Sequence, residues 1–301
     1  MVTRPSGTTR VRGNGRSGWA LSSSSMAAYA TPEEEWHALL SGTHPHLHEQ
    51  SPLRFIPSSP RCRFCKAPFH APGALVLRRY GYTPWEKNPS ICARCFKGLQ
   101  TASRACPVTG KDEQFGGAEV ELSMLFADVR GSSKLARQMP VLEFTRLMNR
   151  FYRVSSEILF EGDAIVEKFV GDEVVGLFVP MMTGPDHARK AVDTAAALLR
   201  ATGHGSSDGP WAPIGAGVHT GTAFVGIVTS AEGTSDFTAL GDPMNVAAHL
   251  AGQAHVGEVL VTSEAAAAAG LTWNRLERRH LSLKGYPIEA AVLAPTPTAP
   301  S

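Results

Sequence analysis

From Val120 onward the chain alternates between short apolar runs and longer stretches whose apolar residues recur at helical spacing. Val120–Ala127 reads as a buried strand. Leu142–Phe160 carries Leu142, Leu147, Phe151, Val154, Ile158 and Leu159 at helical intervals. Ala164–Val170 and Val174–Val179 are apolar runs joined by Gly171-Asp172-Glu173, a hairpin signal. Asp186–Arg200 predicts an alanine-rich helix behind Pro185. Ile214–His219 and Ala223–Val228 predict a second hairpin turning at Thr220-Gly221. Pro243–Ala251 predicts a helix with proline in its first turn, and Glu258–Thr262 and Glu289–Leu293 predict late strands. The order β, α, hairpin, α, hairpin, α, β fits an α+β sandwich with helices on one face of the sheet.

Residues before this rhythm divide differently. The span 1–30 is rich in Gly, Ser and Arg and predicts a disordered tail, with a transit peptide or a true start at Met26 as other readings. Within 31–60, residues 33–41 predict one short helix with an acidic first turn, followed by a Pro- and His-rich linker. The span 61–106 is a Cys-rich unit, 107–117 a linker, 118–295 the large domain and 296–301 a tail.

Composition narrows the class. A hydrophobic content of 43% and a charged content of 19% suit a globular protein. Net charge is +2, and the four arginines Arg4, Arg10, Arg12 and Arg16 leave the remainder slightly acidic. That argues against nucleic acid as a partner, which requires a concentrated basic face. No apolar run approaches the ~20 residues of a membrane span. No apolar h-region marks a secretory signal, so a cytoplasmic location is expected.

Cys62-x-x-Cys65 and Cys92-x-x-Cys95 stand 26 residues apart, close to the two-knuckle spacing of structural zinc ribbons. A 34-residue unit is too small to fold on its own core, so a metal is expected to stabilise it. Zn²⁺ and an iron–sulfur cluster use the same four ligands. Cys106 reads as a free thiol. Thr43-His-Pro-His-Leu-His48 has the composition of a metal tract or of solvated loop histidines.

Two carboxylates frame the chemistry of the large domain. Asp128 ends the first strand and Asp172 sits in the first hairpin turn, each near a glycine. Paired carboxylates at strand ends suit hard divalent cations, which activate a hydroxyl nucleophile and neutralise a triphosphate.

Four segments resemble the signature blocks of class III nucleotide cyclases. They are Phe126-Ala-Asp-Val-Arg-Gly-Ser132, Glu167-Lys-Phe-Val-Gly-Asp-Glu-Val-Val-Gly-Leu-Phe178, Gly217-Val-His-Thr-Gly-Thr-Ala-Phe-Val-Gly226 and Phe237-Thr-Ala-Leu-Gly-Asp-Pro-Met-Asn-Val-Ala-Ala-His-Leu250. They keep the family's order and spacing, and Leu283-Lys-Gly285 is a fifth, weaker block. The resemblance implies a ferredoxin-like βαββαβ catalytic domain that takes Mg²⁺ or Mn²⁺, two per active site. Asp128 and Asp172 match its metal-binding aspartates, with the Val129 carbonyl as a further ligand. Lys168 matches the lysine that reads adenine N1, and Thr238 its partner for the amino group. Guanylate cyclases usually carry Glu at the position of Lys168, so ATP is implied over GTP. Asn245 matches the asparagine that orients ribose and triphosphate, and Lys284 a phosphate-binding lysine. His249 stands where the family has an arginine that stabilises charge at the α-phosphate. Histidine lacks the permanent charge and forked donors of that arginine, so the resemblance also admits a slow enzyme or a nucleotide-binding regulator. The family places its active sites between two catalytic domains, which implies a head-to-tail homodimer. His219, on a strand before a turn, reads as a structural residue.

Overall fold

The computed structural model describes residues 29–47, 51–57, 59–102, 116–229, 235–283 and 286–294. Most of the N-terminal tail, His48, Cys106, most of the 107–117 linker, Lys284 and the tail 296–301 lie outside them, as does the side chain of His46.

The N-terminal part begins with α1 (Pro32–Leu40), where Thr31 caps by accepting the Glu34 N–H and Glu33, Glu34 and Glu35 fill the first turn. It continues through α2 (Ala74–Leu77), a hairpin of β1 (Pro84–Trp85) and β2 (Asn88–Cys92), and α3 (Ala93–Ala102). The large domain follows with β3 (Gly116–Val129), α4 (Ser132–Gln138), α5 (Val141–Glu161), β4 (Ile165–Val170), β5 (Glu173–Phe178), α6 (Pro180–Thr183) and α7 (His187–Ala201). It ends with β6 (Ile214–Thr229), β7 (Ser235–Leu240), α8 (Asp242–Gln253), β8 (Val259–Thr262), α9 (Ser263–Ala268), β9 (Glu277–Leu283) and β10 (Tyr286–Leu293). The sheet order is β4-β5-β3-β6-β8-β10-β9, with β7 also paired to β6. Its first four strands, with α5 and α7, make the βαββαβ unit expected from the sequence.

β3 has two buried faces, which is why its sequence is a run rather than an alternation. Leu125, Ala127 and Val129 join the apolar layer of α5, α7 and α9. Val120, Leu122, Met124 and Phe126 face a second layer formed with α1, the Cys-rich segment and Ala247 and Ala251 of α8. The expectation of helices on one face is therefore corrected: α1, α8 and the Cys-rich segment cover the other. That segment does not depend on a core of its own, because Phe64, Trp85 and Ile91 share one apolar cluster with Leu122, Val175 and Phe237.

The second hairpin is also corrected. Thr220-Gly221 is no turn: β6 is one 16-residue strand, antiparallel to β3 from Val129↔Ile214 to Gly116↔Ile227. Its second half pairs instead with β7, from Phe224↔Leu240 to Thr229↔Ser235. Gly221 serves close packing, since a Cβ there would lie 3.0 Å from His219 Nε2 and 3.1 Å from Pro243. β9 shows no apolar run because Glu277-Arg278-Arg279-His280 carries the charged pattern of a protected sheet edge.

Three buried histidines make the fold acid-sensitive. His204 Nε2 accepts the Ile214 N–H at 3.1 Å, so its ring must be neutral there. Burial pushes the pKa of His187, His204 and His219 down. As pH falls, the unfolded chain takes up these protons first. The contribution is complete above an ordinary histidine pKa of ~6.5 and is lost as pH falls through the folded-state values. The thermal midpoint is therefore expected to hold near neutrality and to drop below about pH 6.5. His204→Gln, which keeps an acceptor, should remove part of that drop in a pH series of melting curves.

Candidate functional site

Asp128 lies near the end of β3, opposite Glu173 of β5 and Gly215 of β6. Asp172 occupies the two-residue turn between β4 and β5, behind Gly171, whose φ of +62° favours glycine. The Val129 N–H donates to the Asp172 carbonyl at 3.1 Å, locking the turn against the strand end. Ser132 Oγ donates to Asp172 Oδ2, and Arg130 Nη2 donates to Asp128 Oδ2. Arg130 Nη1 reaches the Gly252 carbonyl in α8 at 2.8 Å. A cavity of about 400 Å³ opens beside this corner, lined by Ser132, Ser133, Phe144, Tyr152 and Asp172 among others.

The corner carries more negative charge than its own partners satisfy. Asp128 Oδ1 is buried without a hydrogen-bond partner. Burial, then the charge of Asp172, pushes the Glu173 carboxyl up. Two acidic side chains and an orphaned carboxylate oxygen fit a hard divalent cation, which completes its shell with carbonyls, water and substrate phosphates.

A second group lies on β4 and β7. The β4–β5 register shifts between Val166 and Lys168, so Glu167 sits in a bulge, and its side chain is buried. Thr238 Oγ1 donates to Glu167 Oε1 at 2.6 Å. Lys168 Nζ lies 3.3 Å from Glu167 Oε2 while half its side chain is exposed. Lys168 and Thr238, 70 positions apart in the chain, are thus joined through one carboxylate. Sequence reasoning assigned Glu167 no role. The available signal was a carboxylate within the apolar run Ala164–Val170.

α8 carries the third group. Asn245 is exposed in its first turn, and His249 follows one turn later with a buried, unpartnered Nε2. The helix lies hard against β6: a Cβ at Gly217 would come within 2.5 Å of Ala251 N and 2.6 Å of the Ala247 carbonyl. His219 Nδ1 bonds Thr262 Oγ1 at 2.9 Å, the structural role its position suggested.

In the N-terminal part, the four sulfurs of Cys62, Cys65, Cys92 and Cys95 lie within 4.8 Å of one another, all buried. Cys62 and Cys95 sulfurs are 3.7 Å apart, and Cys65 and Cys92 sulfurs 3.6 Å apart. A tetrahedral ion with ~2.3 Å metal–sulfur bonds separates its ligands by about 3.8 Å, so these spacings fit one ion. Hydrogen bonds from Cys65, Cys92 and Cys95 pull the Cys62 thiol down, and Cys92 and Cys95, bonded to Cys62, are pushed up. In the His tract, His44 is buried, with its Nε2 3.5 Å from Glu35 Oε1.

The sheet order defines a ferredoxin-like domain with an acidic corner at one end of its central strands. The profile of the Adenylate and Guanylate cyclase catalytic domain matches residues 118–293, and the chain belongs to this family. It therefore carries a class III nucleotidyl cyclase domain. Uncharacterized protein Rv1319c of Mycobacterium tuberculosis is 29% identical over 173 residues, covering 56% of this chain and 31% of its own. Uncharacterized protein Mb1354c of Mycobacterium bovis is 31% identical over 138 residues, covering 46% and 24%. The chain thus spans about a third or less of the curated relatives it matches. The fold is shared with the guanylyl cyclase Cya2 (TM-score 0.52, 21% identity, 60% of this chain and 94% of that one). It is also shared with the adenylyl cyclase CyaB from P. aeruginosa (TM-score 0.51, 24% identity, 60% and 97%). One architecture thus accommodates both bases. No helix among the described residues is long and apolar enough to cross a membrane.

The sulfur geometry predicts about one tetrahedral ion per chain, measurable by elemental analysis. Cys65→Ser is expected to lose that ion and to lower the thermal midpoint by several degrees, because metal binding is part of the folding free energy. Retention of both would remove the cluster's structural role.

Proposed function

We propose that the chain is an adenylate cyclase that converts ATP to cyclic AMP and pyrophosphate at sites shared between two copies of its catalytic domain, residues 118–295. The observation carrying this reading is the Lys168–Glu167–Thr238 linkage. Adenine presents an acceptor at N1 and a donor at its amino group. Lys168 supplies a donor and the Thr238 hydroxyl an acceptor, a pairing that suits adenine. A carboxylate able to read guanine is present next door in Glu167, but its Oε1 is engaged by Thr238 and its Oε2 faces Lys168.

Asp128 and Asp172, with the Val129 carbonyl, would hold Mg²⁺ or Mn²⁺, which when bound lowers the pKa of a hydroxyl and neutralises phosphate charge. Asn245, exposed on α8, orients the ribose and triphosphate from the other subunit, and Lys284 assists at the phosphates. The ribose 3′-oxygen bonds to the α-phosphorus in line with the departing group. The bond from that phosphorus to the bridging oxygen breaks, pyrophosphate leaves with the electron pair, and the hydroxyl proton passes to solvent. His249, whose Nε2 has no hydrogen-bond partner among the described residues, stands where the family has the arginine that stabilises the charge developing in this step. A single transition-state donor is worth about 3–4 kcal/mol. An imidazole in place of a guanidinium, without its forked donors and permanent charge, therefore makes this a slow enzyme. Zn²⁺ in the four-cysteine site is favoured over an iron–sulfur cluster, whose irons and sulfides would spread the thiolates further apart. The Cys-rich segment, 61–106, serves as a regulatory module of a cytoplasmic protein.

Purified protein with Mn²⁺ is expected to form cyclic AMP from ATP and much less cyclic GMP from GTP. His249→Arg should raise kcat on the order of tenfold or more. Asp172→Asn should abolish turnover. ATP binding with no product from either His249 form would favour the competing reading, a nucleotide-binding regulator, which His249 alone motivates. Sharing of sites has its own test. Asp128→Asn and Asn245→Ala, each inactive alone, should regain about a quarter of wild-type activity when mixed, because half the dimers then hold one intact site. No recovery on mixing would exclude shared sites.

A further inference from the structure

Glu86 and Lys87 form the turn of the β1–β2 hairpin and Asn88 opens β2, and this end of the hairpin is tied to both strands that carry the base-reading pair. On one side the Lys87 carbonyl accepts the Val166 N–H at 2.9 Å, and Asn88 Nδ2 donates to the Ala164 carbonyl at 2.8 Å. Both contacts lie immediately before Glu167 and Lys168, at the bulge that directs Glu167 toward Thr238. On the other side Lys87 Nζ donates to Asp236 Oδ1 at 2.5 Å and to the Phe237 carbonyl at 3.3 Å, immediately before Thr238. The Lys87 side chain is largely buried while Asp236 is exposed, so the ion pair stands at the surface and the bond to the Phe237 carbonyl is partly sheltered.

The base of the same hairpin belongs to the cysteine cluster. β2 ends in Cys92, whose N–H donates to Cys62 Sγ at 3.3 Å, and α3 begins directly after it and carries Cys95 and Phe96. Trp85 stacks on Phe96 with centroids 4.1 Å apart, and both rings meet Phe237 edge-on at 6.1 and 6.3 Å. One rigid path therefore runs from the four sulfurs through the hairpin and the three rings to Thr238 and Glu167. Among the described residues no comparable chain of hydrogen bonds joins the cluster to the Asp128 corner, which the β3 end, the β4–β5 turn and Ser132 hold.

We propose that the cysteine cluster and its hairpin act as a clamp on the base pocket, with Lys87 as a positioning residue. Metal occupancy then sets nucleotide affinity and base choice and leaves phosphate chemistry little changed. The proposal rests on the assignment of Lys168 and Thr238 to the base. Loss of the clamp lets β4 and β7 separate, so Glu167 is freed from Thr238 and becomes available to guanine donors.

The full chain is compared with Lys87→Met, Lys87→Arg and Cys95→Ser, using turnover, displacement of a fluorescent ATP analogue by ATP or GTP, and amide hydrogen exchange. Lys87→Met is expected to raise KM for ATP about tenfold and to erode ATP-over-GTP preference, with kcat changed by less than about threefold. Lys87→Arg should restore most of both, since a guanidinium can reach the same acceptors. Cys95→Ser should move the binding ratio in the same direction and speed exchange in 165–170 and 235–240 but not at 128–129 and 171–172. A fall in kcat at unchanged KM and base preference, or unchanged exchange in β4 and β7 in both Lys87→Met and Cys95→Ser, would overturn the clamp. A protein that makes no cyclic product but whose ATP-to-GTP binding ratio and exchange shift with Lys87→Met would overturn the enzymatic reading and leave the clamp supported.

Discussion

The antiparallel pairing of β3 with β6 is the constraint from which the rest of the molecule follows. It runs without interruption from Val129↔Ile214 to Gly116↔Ile227 and is buried on both faces. A long, fully registered pair leaves no freedom to slip, because a one-residue shift would exchange the two apolar layers. Its ends therefore become fixed points. Asp128 sits at one, where β5 brings the Asp172 turn alongside. At the other, the second half of β6 carries β7 and hence Thr238. Between them Gly217 brings the axis of α8 against the sheet and so fixes where Asn245 and His249 stand.

How much of this could be read from the chain depended on whether the information was local. The alternation of strands and helices, the Asp172 turn and the α5, α7 and α8 helices follow from patterns within a few residues, whereas the βαββαβ order and the assignments of Lys168, Thr238, Asn245 and His249 come from the resemblance of whole blocks to class III cyclases. The continuity of β6 follows from neither. Thr220-Gly221 looks like a turn in isolation, and only the fourteen-residue partner strand β3 and the close approach of Pro243 explain a glycine inside a strand. The second covered face was hidden for a related reason. The residues that cover it, such as Trp36, Leu39 and Trp85, lie in segments too short or irregular to show a period. Glu167 was hidden by its neighbour: beside a lysine of evident interest, a carboxylate in an apolar run drew no separate assignment until the bulge turned it toward Thr238.

The Cys-rich segment changes meaning once its packing is known. Taken as a sequence it is a small module that needs a metal because it lacks a core. In the fold it borrows a core, since Phe64, Trp85 and Ile91 are continuous with the catalytic sheet. Ion pairs add to this joint: Arg63 Nη1 reaches Asp163 Oδ1 at 2.7 Å, and Lys190 of α7 holds the other Asp163 oxygen. These are partly exposed and contribute little energy by themselves. They do fix which part of the sheet the segment rests on. Burial of the four sulfurs inside a shared core means that the cluster cannot lose its ligand geometry without disturbing the layer beneath β3.

His249 shows how that frame permits a change in chemistry at small structural cost. The position lies on the part of α8 that Gly217, Ala247 and Ala251 hold against β6, so its backbone is set by packing and not by the side chain it carries. A shorter, aromatic side chain is accommodated with its Nε2 buried and unpaired. Burial of an unsatisfied donor or acceptor costs about 1–3 kcal/mol. The cost is recovered only when a polar group reaches the ring or the ring turns toward one. On the proposed adenylate cyclase reading, histidine at this position lowers the catalytic rate without disturbing the helix that carries it.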